Sequence, residues 1–183
     1  EASYQGLYSI IDAGYQSGTR LTTLNYRNND TLISWKEKTG FIGLSLPLNL
    51  TRSKYYQYLK FSTRINITQV SNYEFPVRYI SQAGNGGLRS LQYFISYSRL
   101  LKISKRDIQS RWGQSLFIMY NHTPLGGNYK SDRLAIEGNL FFPGLGKHHS
   151  LQIRGGYQKQ TIDNYAFSTP LFIPRGDTYK SYT

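Results

Sequence analysis

The clearest pattern in the chain is an alternation of apolar and polar residues with a period of two. Residues 41–50 carry Ile or Leu at every even position, and the residues at the odd positions are mostly small or polar. A period of two places successive side chains on opposite faces of a β-strand. The next such segment has Leu59, Phe61, Ile65 and Ile67 on one face and Lys60, Ser62, Arg64, Asn66 and Thr68 on the other.

Softer versions of this alternation predict further strands. They lie at 91–98, 115–121, 134–142 and 151–158, with weaker ones at 7–15, 20–27 and 31–36. Together with the two clear segments they make about nine strands, and no helix or long-period repeat competes with them. Glu137 and Arg154 are both expected on the polar face, on adjacent strands.

Segment length and aromatic content point to a membrane. A tilted strand of about nine to eleven residues crosses a bilayer, and no apolar run is long enough for a transmembrane helix. Mean hydropathy is −0.50, which suits a barrel because only alternate positions need be apolar. Aromatics make up 15% of the chain, and those at strand ends suggest interfacial girdles: Tyr55, Tyr56, Tyr58, Phe141 and Phe142. The predicted fold class is all-β, an antiparallel transmembrane β-barrel.

The connections between the later strands alternate in length, as in barrels with short turns at one end and longer loops at the other. Residues 51–54 and 143–148 are compact, whereas 71–88 and 123–132 are longer and rich in glycine. The basic segment 99–112 is an exception, because it is long but falls on the side of the turns. The segment from Lys159 onward is expected on the side of the long loops.

Charge and candidate chemistry narrow the function. The net charge is +12, but the basic residues are scattered singly, so we expect a lipid bilayer and lipopolysaccharide as partners and no nucleic acid. The absence of cysteine excludes disulfides and thiolate metal sites. No carboxylate pair, histidine cluster or Gly-x-Ser-x-Gly motif supports catalysis. The chain is therefore predicted to be non-enzymatic, without metal or cofactor.

Three further stretches carry a resemblance to a known family. They are residues 106–114, with an Arg-Trp-Gly-Gln turn; residues 140–151, with a Phe-Pro-Gly-Leu turn; and residues 173–176, Ile-Pro-Arg-Gly. Together they resemble the bacterial surface antigen barrel, the membrane domain of the outer-membrane assembly and two-partner secretion superfamily. The first two turns are similar to those of barrels that follow a TolB-like propeller. The resemblance covers residues 88–183, and the first half agrees by strand pattern alone.

The resemblance implies a lumen loop within residues 159–183. In the family an Arg-Gly pair folds back into the barrel, and the matching residues here are Arg175 and Gly176. Glu137 is the candidate partner on the barrel wall, since a guanidinium can bind a carboxylate through two hydrogen bonds. Asp177 stands where the family usually has an aromatic residue. An ordinary Pro-Arg-Gly-Asp turn is the alternative interpretation of this motif.

The family barrel has about sixteen strands. Residues 1–183 are therefore expected to form part of a larger barrel in the outer membrane of a Gram-negative bacterium. The predicted function is that of a component of a protein assembly or translocation machine, with protein partners in the same membrane.

Two alternatives remain open at the level of sequence. One is a passive or ligand-specific channel resembling a porin, in which Lys60, Arg64 and Arg154 face the lumen and select anionic solutes. The other is a soluble β-barrel or sandwich that binds an apolar ligand.

Overall fold

The described residues form a single antiparallel β-sheet. The computed structural model describes residues 2–4, 8–26, 29–71, 86–103, 109–146 and 149–162, together with 167 and 171. Eight strands follow one another in chain order across the sheet. They are β1 Ala2–Tyr4, β2 Ile10–Tyr26, β3 Asn29–Asn49, β4 Tyr55–Ser71, β5 Gly86–Leu101, β6 Gly113–His122, β7 Ser131–Pro143 and β8 Ser150–Ile162.

The all-β, antiparallel class predicted from the sequence is confirmed. β1 and β8 do not pair with each other, so the sheet formed by these residues is open. The described residues include no helix that is both long and apolar enough to cross a membrane.

About nine strands were expected, and the described residues contain eight, which divide the chain differently from the predicted segments. Segments 7–15 and 20–27 belong largely to β2, segments 31–36 and 41–50 to β3, and the short β1 was not predicted. β2 and β3 pair without a break from Ile10 with Ser45 to Tyr26 with Asn29. Residues 16–19 are polar at both parities and resemble a turn. Apolar and polar side chains need to alternate along a strand only where one of its faces contacts an apolar environment.

The strand register divides the sheet into two chemically different faces. Residues opposite each other in adjacent antiparallel strands point to the same side. The polar face includes a line of directly paired residues from β2 to β8: Asp12, Gly43, Arg64, Gln92, Asn121, Arg133 and Gln160. One residue along, the apolar face includes the line Ile11, Leu44, Thr63, Tyr93, Tyr120, Leu134 and Lys159.

Burial is the reverse of that in a soluble sheet. Every buried side chain in the described strands lies on the polar face, and Ser90 and Ser131 are only 2% and 3% exposed. Large aliphatic residues of the apolar face are open instead, with Ile67 60% and Ile42 55% exposed. The polar residues therefore shelter one another while the apolar residues face outward.

A small hydrophobic cluster covers the polar face near one end of the sheet. It consists of Trp35, Val70, Leu88 and Tyr129, with Phe167 packed against it. Tyr129 comes from the β6–β7 connection, residues 123–130. This connection is fixed to β5, because Asn128 N donates to Gly87 O at 2.9 Å and Gly87 N donates to Asn128 Oδ1 at 3.1 Å.

The connections lie alternately at two ends of the sheet. Residues 50–54, 102–112 and 144–149 link strands at what we call the turn end. Residues 27–28, 72–85 and 123–130 link strands at the opposite, loop end. β8 finishes at the loop end, where Ile162 pairs with Ser131. The alternation predicted for the later connections agrees with this strand order.

The predicted aromatic girdle is only partly present on the apolar face. By register Tyr55 and Phe142 lie on that face, and Trp112 packs edge-on against Phe142 with ring centroids 5.8 Å apart. Tyr56, Tyr58 and Phe141 lie on the polar face instead. The prediction grouped neighbouring aromatic residues together, although successive residues of a strand point to opposite faces.

Candidate functional site: the polar face of the sheet

The polar face carries an ion pair that spans three strands. Arg64 of β4 donates from Nη2 to Oδ2 of Asp12 in β2. Gly43 of β3 lies between them in the register, and a Cβ atom at this position would come within 2.6 Å of Asp12 Oδ1. The Arg64 guanidinium carbon also lies 4.2 Å from the centroid of the Phe41 ring. Gly43 thus provides the space through which the two side chains meet.

A second charged group joins β7 to β8 nearer the turn end. Arg154 Nε lies 3.2 Å from Glu137 Oε1 and donates to Asn139 Oδ1 at 2.7 Å. Gln152 Nε2 donates to the same oxygen at 2.9 Å, and Asn139 Nδ2 donates to Ser115 Oγ at 3.2 Å. The cluster links β6, β7 and β8 through side chains alone. These contacts fix the side chains of the cluster on the polar face, and Glu137 compensates the charge of Arg154.

A third charged group lies at the loop end, on β2 and β3. Glu37 Oε1 accepts from Trp35 Nε1 at 2.7 Å and lies 3.5 Å from Arg20 Nη1. The Arg20 guanidinium carbon is 5.3 Å from the centroid of the Trp35 indole. These contacts fix the indole that begins the hydrophobic cluster.

Lys60 differs from Arg64 and Arg154, the other two basic residues predicted to face the lumen. Its side chain is exposed and has no ion-pair partner among the described residues. It borders a cavity of about 220 Å³ on the polar face, together with Asp12, Arg64, Gln92 and Met119. Hydroxyl, amide and charged groups line this cavity beside Phe94 and Met119, so water and small polar solutes would find hydrogen-bond partners in it.

Two residues that follow β8 lie against the polar face. The ring centroid of Phe167 is 5.1 Å from the guanidinium carbon of Arg133, which is only 5% exposed. Leu171 approaches β8, since a Cβ atom on Gly156 would lie 3.4 Å from its Cδ1. Phe167 and Leu171, the described residues beyond β8, therefore lie on the side of the polar face.

The sequence-predicted site residues share this surface where they are described. Lys60, Arg64, Glu137 and Arg154 all lie on the polar face by register, and Glu137 contacts Arg154. Arg175 and Gly176 lie outside the described residues. The lumen roles of these residues, and Glu137 as a partner of Arg175, stay predictions.

Asp12, Gly43, Phe167 and Tyr129 were not singled out by sequence reasoning. The only local signal was a glycine opposite two charged residues, and it becomes visible only when the register of β2, β3 and β4 is known. Phe167 and Tyr129 lie in connections, where alternation carries no information about burial.

The described residues contain no group of three or more histidine, aspartate or glutamate side chains arranged to hold a metal ion. The described residues form a sheet with two different faces: a polar face linked by ion pairs, and an apolar face that no other described residue covers. Comparison of the chain with models of known protein families, with curated proteins and with solved structures gave no match.

Proposed function

We propose that this chain forms part of the wall of a transmembrane β-barrel in the outer membrane of a Gram-negative bacterium. We further propose that the barrel belongs, without enzymatic activity, to a machine that assembles or translocates proteins. The observation that carries the membrane proposal is the reversed burial of the sheet, with serine, asparagine and arginine sheltered and isoleucine and leucine open.

The size of the apolar face supports a bilayer as its environment. On β4 it runs from Leu59 to Ile67, about 26 Å at a rise of roughly 3.3 Å per residue. A tilted barrel strand crosses a bilayer with about nine to eleven residues, and residues 59–67 are nine. Soluble proteins rarely expose contiguous apolar patches above a few hundred Å², so an uncovered face of this kind would aggregate in water. Hydrocarbon can solvate it, while the sheet satisfies the backbone hydrogen bonds.

The ion pairs of the polar face favour a structural wall over an anion filter. Arg64 is compensated by Asp12, and Arg154 by Glu137, so two of the three basic residues of the channel alternative are paired with acids. Tyr129 and Phe167 further cover the polar face at its loop end. A covered, braced interior fits a barrel that works through its partners and its internal loop. The resemblance of residues 106–114, 140–151 and 173–176 to the surface antigen barrels supports the same proposal.

One observation favours the channel alternative. Lys60 has no ion-pair partner among the described residues and borders the polar cavity, as a residue that attracts anions would. In planar bilayers the full-length protein should then give a steady, anion-selective conductance that Lys60→Gln weakens. An assembly or translocation barrel should give little steady conductance.

The membrane proposal is tested by spin labels on the two faces. The chain has no cysteine, so single cysteines can be placed without background. Ile65→Cys and Leu116→Cys report the apolar face, and Ser62→Cys and Ser96→Cys are matched controls on the polar face of β4 and β5. In the reconstituted protein, we expect labels at 65 and 116 to collide with oxygen and to be shielded from a water-soluble nickel chelate. The controls should show the opposite, and equal access of the chelate to all four positions would contradict a membrane wall.

A further inference from the structure

Cations lie close to two aromatic rings at the turn end of the sheet, Tyr55 on the apolar face and Tyr56 on the polar face. The Arg99 guanidinium carbon lies 4.5 Å from the centroid of the Tyr55 ring, and Lys54 Nζ lies 5.9 Å from the same centroid. Lys102 Nζ is 5.2 Å from the Tyr56 centroid and donates to Ser53 O at 2.8 Å. A ring holds each cation while part of its charge stays open to solvent.

The turn end as a whole is strongly basic. Segments 50–54, 99–112 and 144–149 contain eight Lys or Arg, at positions 52, 54, 99, 102, 105, 106, 111 and 147, and one acidic residue, Asp107. Arg52, Lys54, Arg99 and Lys102 have no ion-pair partner among the described residues. The described acidic residues therefore leave their charge uncompensated, and this charge attracts an external anion.

Arg99 and the Tyr55 ring lie at the rim of the apolar band. Arg99 pairs with Gln57 and Gln114, one step beyond the apolar line through Leu59, Tyr97 and Leu116. Trp112 and Phe142 pack together one step further toward the turn end. A bilayer that covers the apolar face would place its glycerol and phosphate groups at this height, where tryptophan and tyrosine are favoured.

We propose that Arg52, Lys54, Arg99 and Lys102 form a collar that binds the phosphate groups of anionic phospholipids at the turn end. The inference rests on the proposed membrane location. It adds to that proposal the class of lipid that is bound and the side of the bilayer, at the turn end, where the lipid is bound. A phosphate group matches the collar because it accepts several hydrogen bonds from guanidinium and ammonium groups at once. The rings of Tyr55 and Tyr56 position Lys54, Arg99 and Lys102, and the acyl chains lie along the apolar face beside Arg99.

The opposite rim provides a matched control. Lys36, Lys38, Arg89 and Lys159 lie on the apolar face, near the loop end. Among the described residues, none of these four lies over an aromatic ring or forms an ion pair. They carry the same charge as the collar without its ring-bound arrangement.

The chain offers a built-in reporter for the lipid beside the collar. It has two tryptophans, of which Trp112 is 49% exposed at the turn end and Trp35 is buried on the polar face. In a Trp35→Phe background, Trp112 fluorescence is measured in vesicles that contain phosphatidylglycerol or phosphatidylcholine brominated high in the acyl chain. We expect phosphatidylglycerol to be preferred beside Trp112 by about five- to tenfold, since each cation near an anionic surface contributes on the order of tenfold at most. High salt should reduce the preference.

Two fourfold variants assign the preference to the collar. Arg52→Gln, Lys54→Gln, Arg99→Gln and Lys102→Gln together should bring the preference close to unity. Lys36→Gln, Lys38→Gln, Arg89→Gln and Lys159→Gln together should leave it unchanged. A preference that survives the first variant overturns the collar.

The outcomes of the quenching experiment distinguish a failure of the phospholipid collar from a failure of the membrane proposal. If brominated lipids of neither headgroup quench Trp112, the apolar face does not meet lipid, and the membrane proposal fails with the collar. If both headgroups quench it equally, the membrane proposal stands and the collar is overturned. An acidic protein surface would then be the occupant to seek at the turn end.

Discussion

At the scale of single residues, an ion pair of the polar face depends on a position without a side chain, Gly43. Asp12 and Arg64 belong to strands that are not neighbours, and they meet only across Gly43. Asp12 is largely sheltered and Arg64 is partly exposed, with side-chain exposures of 11% and 38%. Such a pair contributes more than a fully exposed one, because solvent screens it less.

We expect Gly43→Ala to weaken this pair. The new Cβ atom would lie within 2.6 Å of the Asp12 carboxylate, which must then move away from Arg64. The free energy of unfolding should fall by about 1–2 kcal/mol, a typical range for loss of a partly sheltered charged hydrogen bond. The measurement is urea unfolding of the folded protein in detergent or bilayers.

Gly40→Ala is the control for this substitution. Gly40 lies on the apolar face of the same strand, and a Cβ atom added there would have no other atom within 4 Å. Its effect should stay within about 0.5 kcal/mol. If Gly43→Ala still destabilises the protein when Arg64 is already glutamine, its cost has another origin than the ion pair.

The two main ion pairs show what sequence can and cannot predict at this scale. Glu137 and Arg154 fall on the polar parity of adjacent strands, so alternation alone places them on one side, and the structure brings them to 3.2 Å. Asp12 and Arg64 are 52 positions apart with a strand between them. Their contact depends on the register of three strands and on a missing side chain, which no local pattern encodes.

At the scale of elements, the connection 123–130 acts as a small cover for the polar face. Gly127 has a φ angle of 131°, and a Cβ atom there would lie 2.6 Å from Gly87 O. The close approach of the two backbones therefore requires glycine at this position. It allows Asn128 to pair with Gly87 and places Tyr129, 2% exposed, inside the hydrophobic cluster.

Gly127→Ala should loosen this cover. Backbone strain and the contact with Gly87 together should cost about 1–3 kcal/mol, enough to populate a detached loop. Chymotrypsin cleaves after tyrosine, so cleavage at Tyr129 should become faster in the folded protein.

Gly126→Asn is the companion variant. Gly126 has a φ angle of 70°, which asparagine tolerates, and no atom lies within 4 Å of an added Cβ. Its cleavage rate should match that of the unmodified protein. Unchanged cleavage in Gly127→Ala would mean that the loop is not held by this contact.

Alternation predicted the elements well where one face is apolar and poorly elsewhere. It placed Leu59, Ile65 and their neighbours on the correct common face of β4. It divided β2 and β3, because residues 16–19 and 36–39 are polar at both parities and therefore resemble connections. A ladder of backbone hydrogen bonds continues through such stretches regardless of side-chain pattern.

At the scale of the whole molecule, the outer edge of β8 determines which further hydrogen-bond partners the sheet requires. β8 pairs with β7 along its length, and none of the described residues pairs with its other edge. In hydrocarbon, each unpaired backbone group costs several kcal/mol. A barrel therefore requires a further strand on this edge.

Hydrogen exchange in the membrane-embedded full-length protein tests this requirement. In an antiparallel strand, successive amides alternate between the two neighbours. Consecutive amides at Gly155, Gly156 and Tyr157 should therefore all exchange slowly, as should those of residues 117–119 in the interior strand β6. Alternating fast and slow exchange in β8 alone would show an open edge.

The β2–β3 hairpin is longer than the rest of the sheet requires. Beyond Lys36, β3 pairs only with β2 among the described residues, so residues 20–26 and 29–35 extend as a two-stranded ribbon of about 20 Å at the usual strand rise. Arg20, Trp35 and Glu37 anchor its base. Outer-membrane barrels have short turns in the periplasm and longer loops outside the cell. In the proposed barrel this ribbon would therefore stand above the cell surface, where large molecules from outside would meet it before they meet the lipid.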